Sequence, residues 1–324
     1  MVAGDGKFHI WDAYWREDRL YALGADLDPE IANTLERYWA AFVRRLSSGA
    51  AVLDVGCGNG AAALALLRAA RAAGGTLAIS GIDEAAIDPA QCVPEHSADL
   101  RDIRFHPRTK MEKLPFEDAA FDAVVSQYGF EFGNAAQALG EAARVLKARG
   151  TISFLALPAH SDIVKASKKA LKQARYLLRD SALFAEAVRI MKSYYEGPAD
   201  TRDERIRSEL ERFNAQVEKA VQSFDVGEVE VVFAIVMGLN KVFVDRKDKT
   251  IEEQVMAIEK VRTGLAQYAA RAQATVKAAL SDSNLETMKR AITTAGFKLT
   301  ESRTLLVGKH GTIAWQLTGE RLVH

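Results

Sequence analysis

Cysteine is almost missing from this chain. The two present in 324 residues, Cys57 and Cys92, exclude a disulfide framework and fit a reducing, cytoplasmic setting. No apolar run approaches the roughly 20 residues that a membrane-spanning helix needs, and the most apolar stretch, 231–239, is about half that length. Residues 1–19 are broken by Asp5, Asp12, Glu17 and Asp18 and hold no apolar block of the kind a signal peptide requires. An excess of either charge is missing too. Lys+Arg and Asp+Glu stand at 43 each, so no global field favours nucleic acid or an anionic membrane as partner. The six histidines, His9, His96, His106, His160, His310 and His324, show no metal-ligand spacing, and no metal is expected.

What is present divides the chain into four textures. Residues 1–48 are rich in aromatics, among them Phe8, Trp11, Tyr14, Trp15, Tyr38, Trp39 and Phe42, and read as an N-terminal helical cap. Residues 49–160 alternate short apolar runs (51–55, 77–82, 103–106, 121–127, 151–157) with Ala-rich helical runs (61–73, a short one near Ala85, 135–146). That order, with strands apolar almost throughout, predicts a parallel sheet buried on both faces. Residues 161–281 carry Lys, Arg, Glu and Gln between apolar residues at three- and four-residue spacing, which predicts a helical insertion. Within it, 229–244 reads equally as buried helix or strand. Residues 282–324 return to helix, a stop at Gly296, and two strands about a turn at 308–311. The expected fold is α/β: a Rossmann-like, seven-stranded, mostly parallel sheet with a large helical insertion after its fifth strand.

The chemistry concentrates in VLDVGCGNG, residues 52–60, followed directly by helix. Glycines there admit unusual backbone angles and let a ligand lie against the main chain, and the helix N-terminus favours an anionic group. Gly56, Gly58 and Ala61 also satisfy the dinucleotide pattern G-x-G-x-x-G/A, with Asp83 near the place of its ribose-binding acid. Asp54 separates the two readings. An acid two residues before the glycines opposes a pyrophosphate and suits a ligand that carries an ammonium group.

The chain at this point resembles class I S-adenosylmethionine-dependent methyltransferases, in particular the small-molecule branch similar to ubiquinone/menaquinone biosynthesis enzymes. The resemblance rests on DVGCGNG at 54–60, SGIDE at 80–84, MEKLPFEDAAFDAVVS at 111–126 and ARVLKARGT at 143–151. It implies S-adenosyl-L-methionine as cofactor. Gly56 and Gly58 would lie against its methionine part, within the loop that Gly60 completes, and Asp54 would reach its ammonium. Asp83 would take the ribose, Glu84 would lie beside the adenine, and Met111 would offer it a backbone N–H. Ser126 and Gln127 would border the methionine part and the methyl group. Many relatives carry an Asp just before the residue that matches Met111; here Lys110 stands there, and lysine accepts no hydrogen bond.

For the acceptor side, Tyr14 and Trp15 read either as core or as a cover on the cofactor. Tyr128 and Glu131, in the loop after the fourth strand, are placed to border the substrate. Tyr128 and His160 are the candidates for acid–base work, against plain packing for Tyr128. Glu131 reads equally as a solvated loop charge. Cys57 reads as a buried filler. The leading expectation is methyl transfer to a small organic acceptor held between the sheet edge and a cap from residues 1–48 and the insertion. A protein or RNA methyltransferase that docks through the insertion, a non-catalytic cofactor-binding protein dimerised through it, and a nicotinamide-dependent dehydrogenase are the alternatives. No membrane or nucleic-acid partner is expected, and the insertion is the place where a homodimer would form.

Overall fold

The structure is a computed structural model that describes residues 10–22, 27–225 and 227–322. Phe8, His9 and His324 lie outside these described residues. After the short helix α1 (Asp12–Trp15), α2 spans Pro29–Val43. Asp28 caps α2 by accepting from Glu30 N–H, Pro29 sits in its first turn, and Ile31, Leu35, Trp39 and Phe42 recur on its buried face. Then follow β1 (Ala50–Val55), α3 (Ala61–Ala72) and β2 (Leu77–Ile82). The helix expected near Ala85 lies further on, as two single turns, α4 (Pro89–Cys92) and α5 (Ser97–Leu100). Proline at 89 and the side-chain cap from Asp88 to Gln91 N–H start the first of them there. The strand β3 (Arg104–His106), β4 (Phe121–Gln127), α6 (Ala135–Val145) and β5 (Leu146–Ala156) complete the first half.

The sheet has seven strands. After the helices α7 (Asp162–Arg179), α8 (Leu183–Tyr195), α9 (Arg202–Gln222), α10 (Glu230–Val244), α11 (Ile251–Ala278) and α12 (Asp282–Thr294), the chain returns as β6 (Phe297–Val307) and β7 (Gly311–Arg321). The strand order is β3-β2-β1-β4-β5-β7-β6. The first five strands pair in parallel, and β7 runs antiparallel to both β5 and β6. The order reverses between β1 and β4, so a crevice opens at the C-terminal ends of those two strands. Leu53, Val124, Ile152 and Phe154 from three strands form one core with Leu139 of α6 and Ile292 of α12. Fully apolar strands are explained by this burial on both faces.

Two compact units result: residues 1–165 with 277–324, and residues 166–276. The second unit has its own core, in which Leu177, Leu183, Phe213, Val232, Leu239 and Ile258 meet. The ambiguous stretch 229–244 is helix α10. It buries Val232 and Leu239 and exposes Phe233, Met237 and Val244. Among the described residues no helix is long and apolar enough to cross a membrane.

Candidate functional site

Strand β1 ends at Val55 and the chain turns through Gly56, Gly58 and Gly60, whose φ angles are +66°, +51° and +83°. Any L-residue with a Cβ would be strained at those angles, so the turn requires glycine. The turn delivers the chain into α3, whose first N–H groups have no side-chain cap. Ser126, near the end of β4, is buried, and its hydroxyl donates to Val55 O at the end of β1 at 2.7 Å.

Asp54 is the unusual group. Its carboxylate is buried (1% exposed), and among the described residues neither oxygen has a hydrogen-bond partner. The Ala63 N–H on α3 gives it slight support without reaching hydrogen-bond geometry. Burial, reinforced by the charge of Asp83, pushes its pKa up to about 8. A buried carboxylate left unpaired is unfavourable by itself and fits a site built to receive a cationic ligand group.

Asp83, just past β2, accepts from Gly58 N–H and from Ala85 N–H, both at 2.8 Å. It therefore ties the glycine turn to the turn after β2. Glu84 pairs with Lys110 at 3.3 Å. The lysine in the place of an expected acid thus has a partner on the neighbouring turn, and both side chains remain largely exposed. Met111 is half-buried, with its side chain against Gly133 and the main core.

After β4 the chain turns sharply. Tyr128 sits at φ +56°, and Gly129 packs its main chain on that of Gly56. The Tyr128 hydroxyl donates to Ile313 O at 3.0 Å. Burial and the nearby Glu131 raise its pKa far above the ordinary phenol range. With its hydroxyl held by main chain, Tyr128 packs as part of a buried wall. Gln127 accepts through Oε1 from the indole of Trp39 at 2.7 Å. With Asp54, Gly56, Cys57 and Tyr128 it lines a small cavity of ≈ 30 Å³, room for about one water molecule. A larger open groove of ≈ 480 Å³ lies between α2 and α3 over a floor of alanines.

Glu131 is no solvated charge. It is buried, Oε1 accepts from Leu157 N–H at 2.7 Å, and Oε2 is enclosed without a partner. Burial raises its pKa to about 7. Because the folded value lies above the ordinary one near 4.5, the carboxyl contributes stability below pH ~4.5 that is lost as pH rises through 7. Glu131→Gln keeps the bond to Leu157 and removes this dependence. Melting temperatures of the variant between pH 5 and 8 should be flatter than those of the wild type, and at pH 8 it should be more stable by about 1–3 kcal/mol. An unchanged pH profile would show that Glu131 ionises freely. His160 is exposed, sits edge-on to Trp315 at 5.5 Å, and does not line the cavity that Asp54 and Tyr128 share.

Residues 11–21, where Tyr14 and Trp15 read either as core or as cover, are held by hydrogen bonds that the sequence reading did not foresee. Trp15 and Tyr14 are buried with Cys57, Ala85 and Ile87. Tyr14 donates to Tyr21 O at 3.1 Å, and a Cβ on Gly58 would overlap the Trp15 ring. Asp12 accepts from Ala86 N–H and pairs with Arg108, both at 2.8 Å, while Asn59 donates to the carbonyls of Trp15 and Arg19 at 2.9 and 2.7 Å. The Cys57 thiol is buried and its pKa is pushed well up, so it is no nucleophile. Among the described residues no cluster of His, Cys, Asp or Glu could hold a metal ion.

Residues 52–150, the segment that carries this geometry, match the methyltransferase domain family. No curated protein matches the chain. Three solved structures are similar. A putative S-adenosyl-L-methionine-dependent methyltransferase from Methanococcus maripaludis is 14% identical over 100% of this chain and 98% of its own, with a TM-score of 0.43. The Burkholderia thailandensis 1,6-didemethyltoxoflavin-N1-methyltransferase, with 1,6-didemethyltoxoflavin and S-adenosylhomocysteine bound, is 12% identical over 100% and 94%, at 0.44. The Haloferax volcanii putative methyltransferase complexed with the Trm112 activator is 16% identical over 97% and 96%, at 0.46. The acceptors and partners named there are those of the other proteins. Within residues 52–150 the chain carries a methyltransferase domain, and the fit to S-adenosylmethionine rests on its own Asp54 and glycine turn.

Proposed function

We propose that the protein transfers a methyl group to a small organic acceptor. The observation that carries this reading is Asp54, a buried, unpaired carboxylate behind a turn of three positive-φ glycines. Bound there, S-adenosylmethionine supplies a methyl group already activated on a sulfonium. The chain's own work is then to bind, align and exclude water. Asp54 would meet the ammonium of the methionine part, with Gly56 and Gly58 against its main chain. Asp83 would meet the ribose, and Glu84 and Met111 would flank the adenine. Gln127, already anchored by Trp39, would border the reacting end.

The acceptor side is supported by the loop after β4. Tyr128 and Phe130 are buried and give an apolar wall, and Phe130 stacks on Phe154 at 4.1 Å. Glu131 adds one enclosed oxygen to that wall, suited to an N–H or O–H of a compact acceptor, and its raised pKa lets it hold a proton near neutrality. The equal counts of basic and acidic residues speak for a small acceptor over RNA. A quinone-type precursor, as in the branch that the sequence resembles, is one instance of such an acceptor.

Transfer of radiolabelled methyl from S-adenosylmethionine to a panel of small phenols, amines and acids tests the proposal. Label in the small-molecule fraction is expected. Label found only in added protein or RNA would move the acceptor to a macromolecule.

A further inference from the structure

A ligand that lies along Gly58 needs the face of that residue clear, and in this structure Trp15 covers it. The ring is not a loose side chain that happens to rest there. Asp12, 1% exposed, fixes one end of its segment through Arg108 and the Ala86 N–H. Asn59, 0% exposed, fixes the other through two carbonyls, those of Trp15 and Arg19. Each clasp joins a side chain to main chain: Asn59 donates to the segment's carbonyls, and Asp12 accepts from the Ala86 N–H in the turn after β2. Meanwhile the two oxygens of Asp83 receive the N–H groups of Gly58 and Ala85, and the space left beside Asp54 is ≈ 30 Å³. A methionine tail is several times larger than one water.

We propose that residues 11–21 are an internal plug of the cofactor site, held by the clasps Asp12 and Asn59, with Trp15 on the face of Gly58 that the cofactor requires. The proposal rests on the cofactor reading above. Cofactor binding then competes with the clasps, and only the unclasped fraction of the protein binds. The apparent dissociation constant is the intrinsic one divided by that fraction, so loosening a clasp strengthens binding. A segment that merely walled a bound cofactor would behave in the opposite way. Asn59 is thus a positioning residue, and Asp12, far from the glycines in sequence, sets how readily the site opens.

Full-length wild type, Trp15→Ala, Asp12→Ala and Trp15→Phe would be titrated with S-adenosylhomocysteine by calorimetry, with tryptophan emission followed in parallel. If the closed form dominates about ten to one, Trp15→Ala and Asp12→Ala should bind roughly tenfold tighter than wild type. Trp15→Phe preserves a ring on Gly58 and should bind like wild type. The emission of wild type should shift to the red on binding as Trp15 meets water, and this shift should be reduced in Trp15→Phe to the part that Trp11 contributes. Equal or weaker binding by both loosening variants overturns the plug and leaves the cofactor reading intact. If none of the four proteins binds, the cofactor reading falls and the plug falls with it.

Discussion

Asp54→Asn should lose at least 100-fold in affinity for S-adenosylhomocysteine and yet melt at a higher temperature than the wild type. The two effects have one cause. The wild-type carboxylate is buried without a partner, and its pKa of about 8 lies above the ordinary aspartate value of 3.8. A raised folded-state value means that the carboxyl supports the fold below pH ~4 and that this support is lost as pH rises through 8. An asparagine never ionises, so at pH 8.5 the ligand-free variant should be more stable by about 1–3 kcal/mol. Binding has the opposite sign. An ammonium ligand selects the ionised carboxylate, so wild-type affinity should rise between pH 6 and 8, by up to about tenfold per unit, with release of a proton. Calorimetry in buffers of different ionisation enthalpy reads that proton directly. A variant that binds as tightly as wild type, with the same pH slope, would remove Asp54 from the site. The fold tolerates an unfavourable group here because the group is completed by its ligand.

Gly129→Ala should be among the most damaging single methyl additions to the α/β unit. Gly129 has φ −125°, which any residue adopts, so strain in the backbone angle is not the reason. The reason is contact. A Cβ at 129 would stand 2.6 Å from Gly56 O and 3.0 Å from Gly56 Cα, and main-chain atoms cannot rotate aside as a side chain would. The turn after β4 and the turn after β1 would have to separate. We expect a loss of about 3 kcal/mol, roughly 6–12 °C in melting temperature, with weakened cofactor binding because the glycine turn itself moves. Gly140→Ala is the matched control. It lies on α6 with nothing within 4 Å of its added methyl, and should gain up to about 1 kcal/mol. Equal melting temperatures for the two variants would mean that the turns are not in contact in solution.

Much of this architecture is legible in the residues. Runs such as AVLDV and FDAVVSQ are apolar on both faces because β1 and β4 are covered on both sides, and no surface strand would be written so. The three glycines are legible because each adopts an angle that other residues avoid. The stretch 229–244 resisted reading because it is apolar at nearly every position, which erases the periodicity that separates helix from strand. It is a helix whose exposed side carries Phe233 and Met237.

Within the site, position along the chain predicts which turn a residue occupies and not where its side chain goes. Ser126 and Gln127 stand where expected, but one hydroxyl is held by Val55 and one amide oxygen by Trp39, 88 residues earlier. Tyr128 reads either as an acid–base candidate or as packing from its place after β4, and a partner 185 residues later, the carbonyl of Ile313, holds its hydroxyl. Glu131 looked equally like a surface charge, and its burial depends on β5 reaching Leu157. Such pairings are long-range, and no local pattern encodes them.

The place of β7 has a consequence for biosynthesis. This strand lies between β5 and β6 and bonds to both, so β5 keeps a bare edge until residues 311–321 have left the ribosome. Residues 166–276 are contiguous and carry their own core, so all of their partners emerge earlier. The segment in the middle of the gene can therefore acquire its structure while the halves on either side are still waiting to be joined. For that interval the nascent chain presents an open strand, the form of polypeptide that chaperones recognise and that aggregates when they are absent.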